Sequence, residues 1–155
     1  FGVMFYSDRV KAYREALRVL KPGGRLLFTT WNELKANPVA RITQEVGKQY
    51  FPVDTPAFYT VPFAYNDRAL IREEVLTAGF AHVELSLPEL VGRSGTPIAA
   101  AVGLLEGSPI HTAIMDRDPL ALPAMLEELA TNLAAEFGAT DLQVPLSAWV
   151  VEAVK

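Results

Sequence analysis

The chain has 155 residues, half of them hydrophobic and 21% charged, with a formal net charge of −4. That composition suits a globular core and excludes a disordered chain. The mild negative charge, without a Lys/Arg cluster, argues against nucleic acid and anionic membrane as partners. The absence of cysteine excludes a disulfide framework, a thiolate zinc site and a cysteine nucleophile, and fits a cytoplasmic protein.

No targeting or membrane segment is expected. The longest apolar run, Pro97 to Leu105, is far short of the roughly 20 residues a bilayer span needs, and the N-terminus lacks signal-peptide character. At this length one domain over residues 1–155 is expected.

In chain order, Phe1–Tyr6 is short and apolar and predicts the carboxyl end of a strand. Ser7 or Asp8 then supplies a side-chain oxygen to cap a helix. Val10, Tyr13, Leu17 and Leu20 recur at helical spacing and predict its buried stripe. In VLKPGGRLLFTTW, Val19 to Trp31, Pro22 disfavours helix at Lys21, and Gly23 or Gly24 can take the positive φ that reverses the chain. Arg25 to Trp31 follows as a strand. Its unbroken apolar and β-branched interior predicts burial on both faces.

Asn37 and Pro38 suit the cap and first position of a second helix, continued by Val39, Ile42, Val46 and Tyr50. The segment FPVDTPAFYTVPFAY, Phe51 to Tyr65, holds three prolines and five aromatics. Proline density predicts neither helix nor central strand there. The wider stretch 32–65 is expected to contain an aromatic lid loop.

Asn66 or Asp67 opens a third helix with Leu70, Ile71 and Val75 inward and Gly79 at its end. His82 to Leu87 alternates as a half-buried strand. Residues 92–140 are expected to form a helical insert. Its helices begin at Thr96-Pro97 and Ser108-Pro109, and a long one carries Leu126, Leu129, Leu133 and Phe137 before Gly138. Leu146 to Val154 is the last strand predicted. Strands alternating with helices indicate an α/β fold, with an exposed sheet edge near Phe1–Tyr6 through which self-association is expected.

Residues Phe1–Trp31, with their helix, LKPGG turn and buried strand, together with LTAGFAHVEL (Leu76 to Leu85), resemble the C-terminal half of class I S-adenosylmethionine-dependent methyltransferases. The resemblance implies a partial Rossmann-like sheet: the end of strand four, then strands five, six and an antiparallel seven. It implies S-adenosylmethionine as cofactor and methyl transfer to a small-molecule acceptor. It also locates a difficulty. The family grips its donor with a glycine-rich loop after the first strand and an acidic residue ending the second, and no GxGxG occurs here. Gly23-Gly24 follows a helix and precedes a strand, the reverse of the order such loops use. The expectation is a substrate-side half that is inactive alone, with a non-catalytic dimerisation or interaction module as the alternative.

Ligands in open α/β sheets sit beyond the carboxyl ends of the strands. On that basis Met4 and Phe5 are candidate cofactor contacts. Trp31, Phe58, Tyr59 and Phe63 are candidate walls of an apolar acceptor pocket. Phe51 and Tyr65 belong to the same aromatic set. His82 and His111 are weighed as bases and assigned mainly structural or solvent-facing roles. Glu73-Glu74 reads as a solvated helix face, Asp54 as a turn residue, and Ala99–Ala101 with Gly103 as a place where another helix comes close. No ligand pair shows metal spacing.

Overall fold

The computed structural model describes all 155 residues, Phe1 to Lys155. In chain order the elements are α1 (Arg9–Val19), β1 (Arg25–Trp31), α2 (Pro38–Tyr50), α3 (Arg68–Thr77), β2 (His82–Ser86), β3 (Leu90–Ser94), α4 (Pro97–Leu105), α5 (Ile110–Arg117), α6 (Leu122–Phe137), β4 (Leu142–Leu146) and β5 (Ala148–Val154). Short 3-10 turns occupy Val3–Phe5, Leu34–Ala36, Ala57–Tyr59 and Pro119–Ala121. The fold is α/β, with six α-helices and two small antiparallel sheets.

The chain divides into two compact units. The first comprises Phe1–Glu33, Val61–Glu89 and Ser147–Lys155; the second comprises Leu34–Thr60 and Leu90–Leu146. The expected helical insert thus falls within the second unit, and the aromatic loop is shared between the two at Thr60/Val61.

In the first unit β1, β5 and β2 form one sheet in that order, with β5 antiparallel to both neighbours. The pairing runs from Arg25↔Val154 to Trp31↔Ala148 on one side and from His82↔Val154 to Ser86↔Val150 on the other. β1 and β2 therefore run parallel to each other across the last strand. β5 takes the centre because Ala148, Val151 and Ala153 can be wholly buried there. The core joins Val151 and Ala153 to Val83 and Leu85 of β2, Ile71 and Val75 of α3, Tyr13 of α1, and Val3 and Met4. Burying one such aliphatic side chain stabilises the fold by about 1.5–3 kcal/mol.

The caps of α1 and α3 follow their sequence signals, whereas Asn37 precedes α2 without a side-chain bond to its first amides. Asp8 Oδ1 accepts from Lys11 N at 2.9 Å, and Asp67 Oδ1 accepts from the amides of Ala69 and Leu70. Gly24 N donates to Lys21 O at 2.8 Å, and Gly23 has φ +73°. With Pro22 ahead of Gly23 this is the pattern of a type II turn, whose third residue requires positive φ. A Cβ on Gly24 would lie 2.8 Å from Lys21 O, so the backbone itself needs glycine there. The end of α1 is also held from far along the chain. Lys155 Nζ donates to the carbonyls of Leu17 and Leu20 at 2.6 and 2.7 Å.

Three expectations for this unit are corrected. Residues Val3–Phe5 form a 3-10 turn, not the end of a strand. β1 is not buried on both faces: Leu27 is 64% exposed, because the strand lies at the sheet's edge. Leu70 of α3 faces outward, leaving Ile71 and Val75 to fill the core.

In the second unit α6 packs against α4 and α2. Met125, Leu129 and Leu133 of α6 are fully buried, as are Ala101 and Leu105 of α4 and Val46 of α2. Thr96 caps α4 by accepting from Ala99 N, and Gly138 ends α6 at φ +93°. The strand expected over Leu146–Val154 is found as Ala148–Val154, and Leu146 ends a separate strand that was not expected. Leu142–Leu146 pairs with Leu90–Ser94 in its own two-stranded sheet, and only Ala148–Val154 joins β1 and β2. Neither β3 nor β4 alternates cleanly enough in sequence to announce itself, and Pro145 argued against a strand where it stands.

Candidate functional site

The carboxyl end of β1 gathers aromatic rings within the first unit. Trp31 stacks on Phe63 with ring centres 5.4 Å apart and on Phe1 at 4.4 Å, both pairs within 26° of parallel. Offset stacking at these distances contributes beyond the area buried. The backbone carrying Phe63 is tied down from several directions. Thr30 Oγ1 donates to Tyr65 O at 2.8 Å, and Trp149 Nε1 donates to Asn66 O at 2.9 Å. Asn66 Nδ2 in turn donates to Phe63 O. Asn32 donates through both its amide and its side chain to Ser147, closing the ends of β1 and β5 together.

Next to this stack a hollow of about 540 Å³ opens along β1. Phe1, Val3, Tyr6, Tyr13, Leu27 and Phe28 are among its lining residues. Its walls are apolar, so it suits an apolar ligand face better than a charged one.

Behind the hollow is a polar network that the sequence did not disclose. Arg9 makes a two-pronged ion pair to Glu74, Nε to Oε2 at 2.7 Å and Nη2 to Oε1 at 2.8 Å. Tyr65 donates its hydroxyl to Glu74 Oε2 at 2.7 Å, and Tyr13 donates to the Tyr65 oxygen at 3.2 Å. The Arg9 guanidinium also lies 4.2 Å from the centre of the Tyr65 ring. Burial pushes the Tyr13 hydroxyl up to about 12. Burial, with hydrogen bonds from Tyr13 and to Glu74, raises Tyr65 as well. At Glu74 burial opposes ionisation, but the bonds from Arg9 and Tyr65 outweigh it and hold the carboxyl below its usual range.

This corrects the expected solvated face at Glu74, while Glu73 is exposed as expected. Glu74 is paired and its side chain is only 16% exposed. Arg9 and Glu74 lie 65 positions apart, and no local spacing could have joined them.

Of the candidate residues, the fold stacks Trp31 on Phe63, and neither is among the residues that line the hollow along β1. Met4 is buried in the core of the first unit, whereas Phe5 is exposed. Phe58 and Tyr59 belong to the second unit, where their rings meet edge to face at 5.1 Å. Tyr59 is anchored there by its hydroxyl, which donates to Leu104 O at 3.1 Å and is pushed up to about 12 by burial. His82 is exposed and His111 half-buried. Asp54 is held by Arg117, which contacts its carboxylate at 2.7 Å and its carbonyl at 3.1 Å. The partner that sequence reading missed here is Phe1, whose ring completes the stack on Trp31 and whose amino group donates to Thr29 Oγ1.

No family model matches the chain. An 86-residue stretch is 37% identical to a blue-light-activated histidine kinase of Rhizobium johnstonii, covering 56% of this chain and 24% of that protein. The chain therefore spans about a quarter of the curated relative it matches. Among solved structures it resembles phosphoethanolamine N-methyltransferase 2 of Haemonchus contortus, at TM-score 0.44 and 17% identity, over 99% of this chain and 32% of that one. It also resembles a protein of Bacillus halodurans assigned provisionally as a methyltransferase, at TM-score 0.45 and 15% identity, over 100% of this chain and 66% of that one. The first of these structures contains S-adenosylhomocysteine. Both superpositions are weak.

Proposed function

We propose that this chain supplies the acceptor side of a methyl-transferring enzyme, acting on a small molecule with an apolar or planar face. The observation that carries the reading is the aromatic stack of Trp31 and Phe63 at the carboxyl end of β1, whose third ring, Phe1, also lines the apolar hollow. It is supported by the sheet order β1-β5-β2 with an antiparallel last strand, which agrees with the sequence resemblance of LKPGG and LTAGFAHVEL.

The residues present do not suit the methyl donor itself. The Pro-Gly-Gly junction leads from α1 into β1, so its amides do not sit at a helix N-terminus beyond a strand, where a nucleotide is held. No step of the transfer is assigned to a donor site in this chain. S-adenosylmethionine is the donor implied by the resemblance, and it supplies the electrophilic methyl group when bound elsewhere. The work of this chain's residues is orientation and exclusion of water. The stacked rings of Phe1, Trp31 and Phe63 fix the apolar end of the hollow through Phe1, and methyl transfer depends on holding the acceptor in line more than on an acid or base.

Tryptophan fluorescence tests the reading. The chain is titrated with a panel of small phenols, amines and carboxylates, and separately with S-adenosylmethionine. The expected result is quenching by one acceptor class, loss of that quenching in Trp31→Phe and Phe63→Ala, and no response to the donor. No response to any acceptor class, or quenching untouched by either substitution, overturns it.

A further inference from the structure

We infer that the loop from Phe51 to Thr60 closes over a binding site in which Gln44 of α2 accepts a hydrogen bond from a small neutral molecule. That molecule carries an O–H or N–H group on an apolar body. None of this needs a methyl donor or its acceptor, and all the residues concerned lie in the second unit.

Gln44 is 3% exposed, and its Oε1 is shielded from solvent with no donor in reach. Buried polar groups are nearly always paired, and a carbonyl oxygen enclosed without a donor costs stability. Such an oxygen in the middle of a helix marks a place where a donor belongs. The loop returns along this stretch of α2. A Cβ on Gly47 would meet Thr55 Cγ2 at 3.9 Å. One turn earlier, the Tyr59 hydroxyl lies against that of Thr43. Gln44 stands between these two levels, three residues before Gly47 and so on its side of the helix. The loop passes that level between Thr55 and Tyr59, where Pro56 is buried. Tyr59 holds the far end by donating to Leu104 O at 3.1 Å.

The near end is held less firmly. Val53, Asp54 and Thr55 make no backbone–backbone hydrogen bond, and Val53 is wholly exposed. Their tie to a distant element is Arg117 of α5, which contacts the Asp54 carboxylate at 2.7 Å and donates to the Asp54 carbonyl at 3.1 Å. The Asp54 side chain is mostly in solvent, so water competes for this pair. Few main-chain bonds and an exposed ion pair are the marks of a segment that opens locally. Opening lifts Thr55 from α2 and admits a ligand, and a donor on Gln44 Oε1 then stabilises the form that holds it. The class of ligand follows from what is buried nearby. The buried polar residues of this unit are Asn37, Thr43 and Gln44, none of them charged. An ion would be enclosed without a counter-charge, and a carboxylate or ketone would set its lone pairs against Oε1. Phe58 and Tyr59, edge to face in the same loop, offer an apolar flank.

Nuclear magnetic resonance of the full chain tests this. Phenol, benzyl alcohol and benzamide are titrated, each beside the counterpart whose donor hydrogens are replaced by methyl groups. At least one of the three should shift the Gln44 side-chain amide saturably and bind at least about tenfold more tightly than its methylated counterpart. Gln44→Met, close in shape but without the oxygen, should keep or raise the thermal midpoint and lose that preference. Arg117→Ala should lower the order parameters of the Val53, Asp54 and Thr55 amides below about 0.6 in the free chain. Four results overturn the inference: no saturable shift, equal binding of the methylated counterparts, a preference that survives Gln44→Met, or order parameters unchanged in Arg117→Ala. So does a midpoint that falls in Gln44→Met, which would mean that Oε1 is already paired in the closed chain.

Discussion

Tyr65 donates its hydroxyl hydrogen to Glu74 at 2.7 Å while the same carboxylate is held on its other side by Arg9. The contact joins the segment before α3 to α3 itself, and through Arg9 to α1. Because Tyr65 also receives the Thr30 hydroxyl on its carbonyl, the network sets where the Phe63 backbone lies against Trp31.

Replacing Glu74 by alanine leaves Arg9 without its carboxylate and Tyr65 without an acceptor. Loss of a hydrogen bond to a charged group costs about 1.5–3 kcal/mol. Urea denaturation of Glu74→Ala should show a lower midpoint, equivalent to that loss at an unchanged slope. Glu74→Gln keeps an acceptor for Tyr65 and should lose less. Equal losses in the two variants would mean that the charge decides and the hydrogen bond does not.

The same carboxylate sets an acid limb of stability. Its pKa in the folded chain lies below its ordinary value of about 4.5. The folded state therefore favours the ionised form. The contribution is complete above the unfolded value and is lost as the pH falls through the folded one. Urea midpoints measured from pH 6 downward to about pH 3 should decline, and the decline should be shallower in Glu74→Gln. Parallel curves for the two proteins would remove Glu74 from the account.

At the alkaline end the sign reverses. Tyr13 is pushed up to about 12 in the folded chain, above its unfolded value of about 10. The unfolded chain then gives up the proton first, and stability falls as the pH rises between these two values. Tyr13→Phe should flatten that limb, read as urea midpoints from about pH 9 to 11. It should also lose the bond to Tyr65, at a cost of about 1 kcal/mol at neutral pH.

The Pro-Gly-Gly turn is expected to tolerate no side chain. Gly23→Ala meets no atom but must keep φ +73°, which costs an L-residue about 1–2 kcal/mol. Gly24→Ala faces the Lys21 carbonyl and should cost at least as much, since backbone must move. Thermal unfolding of both variants checks the order. A neutral Gly23→Ala would show that the turn can adopt another form.

Within the second unit, Leu129→Ala should cost about 2–5 kcal/mol because the side chain is fully enclosed. Arg41→Ala, at an exposed site paired to Glu45 and Glu136, should cost no more than about 1 kcal/mol. Chemical denaturation that ranks them in the other order would contradict the packing described for α6.

What could be read directly from the residues was local. Asp8, Asp67 and Thr96 cap helices because a short polar side chain reaches the free amides of the next turn, whatever lies around it. The reversals at Gly23, Gly79 and Gly138 followed from the positive φ that other residues resist. The strands β1 and β2 were legible from their runs and alternation. What the chain pattern did not contain was pairing across distance. It could not show that Ser147 divides the last apolar stretch between two sheets, or that β5 enters between β1 and β2 and leaves Leu27 at an edge. Nor could it show that Glu74 is half-buried and paired with Arg9 and Tyr65. The physical reason is the same in each case. A cap or a turn is decided within four or five residues, whereas an edge, an ion pair or an aromatic stack depends on which distant segments share a core.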